Sequence, residues 1–533
     1  MKKIQIIVLL LLFFFVLNNS CRKKLEPPNW DVDVLAPIFK STLGLNNIIA
    51  DSLIQTNPDS SIIIVYENML YNISLDTLVQ IPDTNITEIF SLPFGSFPLA
   101  PGDPIPTLDN DTNETKYNLQ AIELSKVIIR SGQVNFFLTS TIEEITILNF
   151  KMPGATKGGI PFEITEEIPA GTPIATIDKN YDLSGYEIDL KGLYGINFNT
   201  FSSIFTANIS PYGDTVIISA GDYFKIEYGF IDIITEYAKG YFGQYDIEIE
   251  PTSEDINIFN SIAGGSFDME SISIFLKINN GFGIDIQAII NNLTSFNTQT
   301  NTSVALDHSI IGSAINLTRA TETPSPTLPF TYSEYDLNIT SPPSNADVFI
   351  ENIPDQLRYS FDFAINPYGN QSLGNDFLYY DSDLKIYINM ELPVSVIASN
   401  LTLSDTVDFN LDENNIIDGF FYLYADNGFP IEAIVQLYLL DDTDNITDSL
   451  ISPGANTIEA ASIDGNQKVT DKKLSKIIIP VSESKLDRIT DTKKALIIAQ
   501  FTTKPDNQYI KIYSDYVIDL KLVGDFNYRI EVE

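Results

Sequence analysis

Residues 271–290 read SISIFLKINNGFGIDIQAII. Ile272, Ile274, Leu276 and Ile278 are apolar, while Ser271, Ser273 and Lys277 between them are polar. A period of two belongs to a strand with one wet face. Asn280-Gly281-Phe282-Gly283-Ile284-Asp285 follows, and then a second apolar run over 286–290. The reading is strand, kink, strand. Glycine at the kink permits a positive φ or a bulge, and the aromatic plugs the adjacent core.

The same design returns at 420–440, FFYLYADNGFPIEAIVQLYLL, where Asn427-Gly428-Phe429-Pro430-Ile431-Glu432 matches 280–285. Residues 134–148, VNFFLTSTIEEITIL, form a degenerate third copy. Separately, 31–51 resembles 383–405. Both carry a proline among aliphatics (Ala36-Pro37-Ile38; Leu392-Pro393-Val394) and close on an acid, a hydroxyl and an aliphatic (Asp51-Ser52-Leu53; Asp405-Thr406-Val407). Duplication of a β-sandwich unit accounts for such copies.

Period-two alternation recurs at 245–249 and 516–523, and the apolar residues lean toward Ile, Val, Phe and Tyr, which suit pleated surfaces. Helical periodicity is nearly absent. The best helix is 482–493, SESKLDRITDTK, with Ser482 as cap and Leu486 and Ile489 as its apolar stripe. The expected fold is all-β: tandem antiparallel β-sandwich-like units with very few short helices. A length of 533 residues suggests three or four units at roughly 150 residues each. Breaker-rich stretches at 92–107, 321–329 and 341–343 place boundaries near 115, 200 and 325. The expected domains are a tether and β domain over 21–115, a β domain over 116–200, and repeats over 201–325 and 326–533.

Net charge is −40, which repels phosphates and excludes nucleic acid as a partner. The chain has one Cys, one His and one Trp, so no disulfide forms within it and the ligands of a thiolate or imidazole zinc site are missing. His308 lies in VALDHSII with no nucleophile elbow beside it and reads as structural. Trp30 reads as packed near the tether. Residues 109–114 (DNDTNE) begin like a calcium loop but lack the glycine and the closing glutamate, and 441–445 (DDTDN) reads as a solvated hairpin turn. No cofactor, metal site or catalytic residue is expected, and the chain reads as non-enzymatic.

Residues 1–21 read MKKIQIIVLLLLFFFVLNNSC. Lys2 and Lys3 precede an apolar run over 4–17 that would span about 21 Å as a helix. That is short of the roughly 30 Å hydrocarbon core, so residues 1–20 fit a signal sequence better than a permanent span. The segment resembles a lipoprotein signal peptide. That family implies cleavage before Cys21 and acylation of its thiol, although Asn18 stands where an aliphatic is commoner. Several acyl chains give stable anchoring. The mature start, Cys21-Arg22-Lys23-Lys24, is basic. In Bacteroidota-type lipoproteins an acidic cluster there marks surface export, so the resemblance implies the periplasmic face of the outer membrane, with the cell surface as the alternative.

The strand, Asn-Gly-Phe, strand pattern looks like the water-stress or LEA-type β-sandwich. Tether and repeats together resemble large Bacteroidota lipoproteins, and the extended fold resembles tubular lipid-binding proteins that enclose acyl chains. Acid-hydroxyl-aliphatic triplets resemble the O-glycosylation sequon of Bacteroidota periplasmic proteins, with Ser52, Thr77, Thr215, Thr406 and Ser449 as acceptors. Three functions are expected in order: a structural or interaction lipoprotein docking an envelope protein, a carrier of lipid or another hydrophobic ligand, and, least, a glycan-active hydrolase. A contiguous apolar cavity long enough for an acyl chain would favour the second; packed sandwiches with solid cores would favour the first; a pocket with converging carboxylates would favour the third.

Overall fold

The computed structural model describes residues 29–45, 49–74, 81–91, 95–259, 262–409, 411, 416–452, 454, 456–482, 485, 486, 489, 492–504 and 507–531. Cys21 and the segment before it lie outside the described residues. In chain order the principal strands are β1 (Asn29–Gly44), β2 (Ile62–Ser74), β3 (Glu123–Ser140), β4 (Thr146–Lys157), β5 (Thr200–Ile209), β6 (Tyr223–Tyr241), β7 (Ile262–Met269), β8 (Ser273–Asn280) and β9 (Ile286–Asn297). They continue with β10 (Gln356–Ile365), β11 (Asp383–Pro393), β12 (Ser395–Asp408), β13 (Ile416–Asn427), β14 (Ile431–Leu440), β15 (Lys473–Val481), β16 (Lys494–Thr503) and β17 (Val517–Glu531). The protein is all-β, and every pair among these strands is antiparallel.

Alternation places the strands as the sequence predicts. Ile272, Ile274, Leu276 and Ile278 point into the core, as do Ile518, Leu520 and Leu522. The Asn-Gly-Phe segments are corners at which the chain leaves one sheet for another. At the first, Asn280 is buried, its Oδ1 accepts the Phe282 N–H at 2.9 Å, and the Gly281 N–H donates to Asp383 O at 2.7 Å. At the second, Asn427 Oδ1 accepts the Phe429 N–H at 2.9 Å and the Gly428 N–H donates to Val517 O at 2.9 Å. A Cβ on either glycine would sit 2.8 Å from that same carbonyl, so only glycine fits.

The degenerate third copy is a corner too. Ser140 is buried, its Oγ accepts the Ile142 N–H at 3.2 Å, and the Thr141 N–H donates to Tyr223 O at 3.2 Å. The chain is therefore a triplication. Within each copy the strand before the corner pairs with the copy's last strand: β3 with β6, β8 with β11, β13 with β17. The strand after the corner pairs with the third: β4 with β5, β9 with β10, β14 with β16. In the first copy a short strand, Glu187–Asp189, pairs with both β3 and β4 and joins the two layers into one sheet.

Boundaries near 115, 200 and 325 do not separate these units. The segment read as an N-terminal domain is shared among all three: β1 pairs with β17, β2 with β11, and Ile86–Ser91 with β6. Position 200 falls at the start of β5, inside the first unit, and the pairing of Tyr245–Glu248 with β10 crosses 325. Breaker-rich stretches mark loops, whereas strand pairing ignores distance along the chain. The two proline-bearing segments also pair differently: β1 bulges between Pro37 and Phe39 yet continues along β17, whereas β11 gives way at Val394 to β12.

Other expectations fare unevenly. Trp30 is 59% exposed at the start of β1 rather than packed. Of the helix over 482–493, Lys485, Leu486 and Ile489 are helical, with Leu486 and Ile489 buried; 483, 484, 487, 488, 490 and 491 lie outside the described residues. A short helix that the sequence did not announce, Ala346–Glu351, buries Phe349 and Ile350. Asp111–Lys116 is a strand paired with β5, not a metal loop. Asp441 caps a hairpin turn, and the N–H groups of Asn445 and Thr443, with the Thr443 hydroxyl, hold its carboxyl down to about 2.

One ion cluster ties the first unit to the second. Arg319 donates from Nε and Nη2 to Asp285 at 2.6 Å each, and its Nη1 lies 2.9 Å from Asp376 Oδ1, off the hydrogen-bonding direction. Asp376 is fully buried and begins a short strand, Asp376–Tyr379, that pairs with β6. Burial pushes the Asp376 carboxyl up, whereas the Arg319 hydrogen bonds hold Asp285 below its ordinary value.

Candidate functional site

Three copies of one unit allow their cores to be compared position by position. The first is filled by rings: Phe150 lies 4.9 Å from Phe205 and 5.3 Å from Tyr228, and Phe136 lies 5.6 Å from Phe150. The second buries Tyr359, Phe361 and Phe363 along β10. Counting from the corner through the paired strands, Phe205 and Phe361 occupy the place of Ile497, and Phe363 that of Ala499. The third unit thus lacks one ring that both siblings carry and a second that the second unit carries, the first having Ala207 at the latter place.

A cavity of about 190 Å³ lies there. Leu43 and Gly44 of β1, Phe429 at the corner and Ile518 of β17 line it from one layer. Ile262, Phe267 and Met269 of β7, Ala398, Leu401 and Leu403 of β12, and Ile497, Ala499 and Phe501 of β16 line it from the other. Ile64 of β2 and Ile512 complete much of the wall. A Leu/Ile/Phe cavity of roughly 150 Å³ stays dry and binds benzene, so this one has room for at least a small apolar group. A smaller void in the first unit, about 30 Å³, is no larger than a water site.

The polar side chains in the wall are Ser404 and Asp405. Asp405 is exposed, and Leu401 and Leu403 before it are half-buried, so this end of β12 is the mouth. Leu401, Leu403 and Asp405 stand opposite the buried Phe501, Ala499 and Ile497, and facing residues of a pair share one side of the sheet. Asp405 therefore sits on the inward side. Its Oδ1 accepts the Thr406 N–H at 2.9 Å.

The candidate acceptors do not converge. Ser52 is exposed in the turn Asp51–Leu53, Thr215 is exposed before Val216–Ile218, and Thr406 is exposed on β12 beside the mouth. Ser449 is half-buried, with its N–H on Asp448 Oδ1 at 2.8 Å. Thr77, like Cys21, lies outside the described residues. His308 Nδ1 accepts the Ile310 N–H at 3.2 Å, a local turn contact. Among the described residues no group of three His, Cys, Asp or Glu is placed to hold a metal ion, and no helix is long and apolar enough to cross a membrane. Reading the sequence missed the cavity. Its signal was Ile497 and Ala499: the first takes a slot that holds a ring in both sister strands, the second a slot that holds Phe363 in the second unit and Ala207 in the first.

Comparison with known proteins adds little. No family model matches, and no curated relative matches. Among solved structures, a Parabacteroides distasonis protein described as secreted is 14% identical, with a TM-score of 0.26, covering 53% of this chain and 88% of its own. Broad bean stain virus gives 9% identity and a TM-score of 0.16, covering 61% of this chain and 94% of its own. Likenesses this distant carry no functional argument.

Proposed function

We propose that this chain is a lipid-anchored, non-enzymatic protein of the cell envelope that holds an apolar ligand in its third sandwich. The supporting observation is the cavity of about 190 Å³, walled by aliphatic and aromatic side chains where the sister units are filled. The void in the first unit is only about 30 Å³, so the larger space is not a property of the repeat itself. A preformed apolar pocket with a few polar groups at one end is the usual form of a hydrophobic-ligand site.

Ala499→Phe, which copies Phe363, tests this directly. The neutral fluorophore N-phenyl-1-naphthylamine should bind the parent chain, and the variant should bind it about tenfold more weakly or worse, with the β circular dichroism spectrum retained. Equal binding by both proteins would place the probe elsewhere and defeat the proposal.

The location is part of the same proposal: acyl chains on Cys21 fasten the protein to the outer membrane, on its periplasmic face. Cys21→Ser should move it from the membrane pellet to the soluble fraction; an unchanged distribution in the pellet argues against the anchor. The exposed Thr215 and Thr406, with Ser52, Thr77 and Ser449, are proposed O-glycan acceptors, to be read as mass increments on their peptides.

Docking of an envelope protein is the second reading, and one surface favours it. Residues 192–199 and 366–375 carry no charged side chain in a chain of net charge −40. They expose Tyr194 (80%), Ile196 (78%), Tyr368 (62%) and Leu373 (85%). The loops are neighbours, since a Cβ on Gly374 would lie 3.9 Å from the Phe198 ring. Exposed apolar patches of this kind mark interaction surfaces. Ile196→Ser with Leu373→Ser should abolish co-purification of the partner and leave the melting temperature unchanged.

A further inference from the structure

The mouth of the cavity carries charge of one sign. Among the described residues Asp405 is the only ionisable side chain in its wall, and none of them that lines it is a Lys, Arg or His. Ser404 beside it offers a hydroxyl. Asp405 points inward across from Ile497, and two residues further along β16 Ala499, which pairs with Leu403, leaves open the space that a phenyl ring fills in the second unit. A ligand whose apolar part fills that space must leave its polar end against this carboxylate.

Electrostatics then selects the head group. A carboxylate or phosphate head would meet Asp405 with no cation in the wall to offset it, in a chain whose net charge is already −40. Two like charges within a few ångströms repel, more strongly where the protein wall lowers the dielectric, and salt screens this only in part. A primary amine or a hydroxyl would donate a hydrogen bond to the same oxygens, and an ammonium would form a charge-assisted one. Taking the cavity as a ligand site, on which this step rests, we infer that its occupant is a single-chain amphiphile with a cationic or hydroxyl head, and that Asp405 excludes anionic fatty acids.

The test is competition against N-phenyl-1-naphthylamine at pH 7, in the Cys21→Ser chain so that no attached acyl group interferes. Dodecylamine and dodecanol should displace the probe at concentrations at least about tenfold lower than laurate. Ammonium ions also gather on any acidic protein, so a second variant isolates the mouth. Asp405→Asn changes one charge among many and keeps an oxygen for the Thr406 N–H. It should bring laurate to within about threefold of dodecylamine, each competitor being read against the variant's own probe affinity. Laurate displacing as well as dodecylamine in the parent, or a preference that Asp405→Asn does not alter, overturns the inference while the cavity reading stands. Failure of the parent to bind the probe at all overturns both.

Discussion

Replacing Arg319 with methionine should lower the unfolding free energy by about 3–5 kcal/mol at neutral pH, because breaking a buried pair leaves an uncompensated charge. Arg319 holds Asp285 through two hydrogen bonds of 2.6 Å and stands 2.9 Å from Asp376, whose carboxyl is fully buried. The dependence on pH distinguishes this cause from lost packing. Asp285 has a depressed folded value, so its contribution is present above the ordinary carboxylate range and disappears as pH falls through the folded value. Asp376 has a raised value, so its contribution is full below that range and is lost as pH rises through the folded value. Without Arg319 the first term vanishes and the second grows. The gap between parent and variant should therefore narrow as pH drops from 7 toward about 4, through the Asp376 part, and narrow further below that as Asp285 takes up its proton. Denaturant titrations followed by circular dichroism at several pH values measure it, and a gap independent of pH would assign the loss to packing.

Asn427→Ala should cost a similar amount, about 3–5 kcal/mol. The side chain is fully buried and makes three hydrogen bonds: Nδ2 to Ile431 O and Glu459 O at 2.9 Å each, and Oδ1 from the Phe429 N–H at 2.9 Å. Alanine strands all three partners, and each unsatisfied buried group costs about 1–3 kcal/mol. The triplication supplies its own control. At the corner of the degenerate copy Ser140 already performs the Oδ1 task with a hydroxyl, so Asn427→Ser should be milder than Asn427→Ala. Equal losses would mean that the bond to the N–H two residues on contributes little.

Local rules made most of the architecture readable. Alternation at 271–279 gave a strand because each residue's side is decided by its neighbours, and the Asn-Gly-Phe corner was visible because glycine and a buried amide are needed at that turn. Even the third copy could be seen at 134–148, although Ser140 had replaced asparagine. Partner choice could not be read. Nothing local in 29–44, 62–74 or 86–91 says that each belongs to a different unit, since pairing is decided by complementarity across hundreds of residues. The same holds for Trp30, which local hydrophobicity would bury but which sits where β1 outruns its cover. The cavity required both kinds of knowledge. Ala499 is unremarkable in a strand until register shows that it stands where Phe363 does in the sister unit.

One pairing bears on how the molecule is made. Asp31 and Arg529 meet at 3.3 Å although 498 positions separate them, and β1 lies along β17 for its whole length. A polypeptide made from its amino end delivers β1 long before β17. The earliest segment to emerge is thus the last to be covered, and until then it offers an open row of amides to any passing chain. Shielding that row until β17 arrives would limit pairing with other chains.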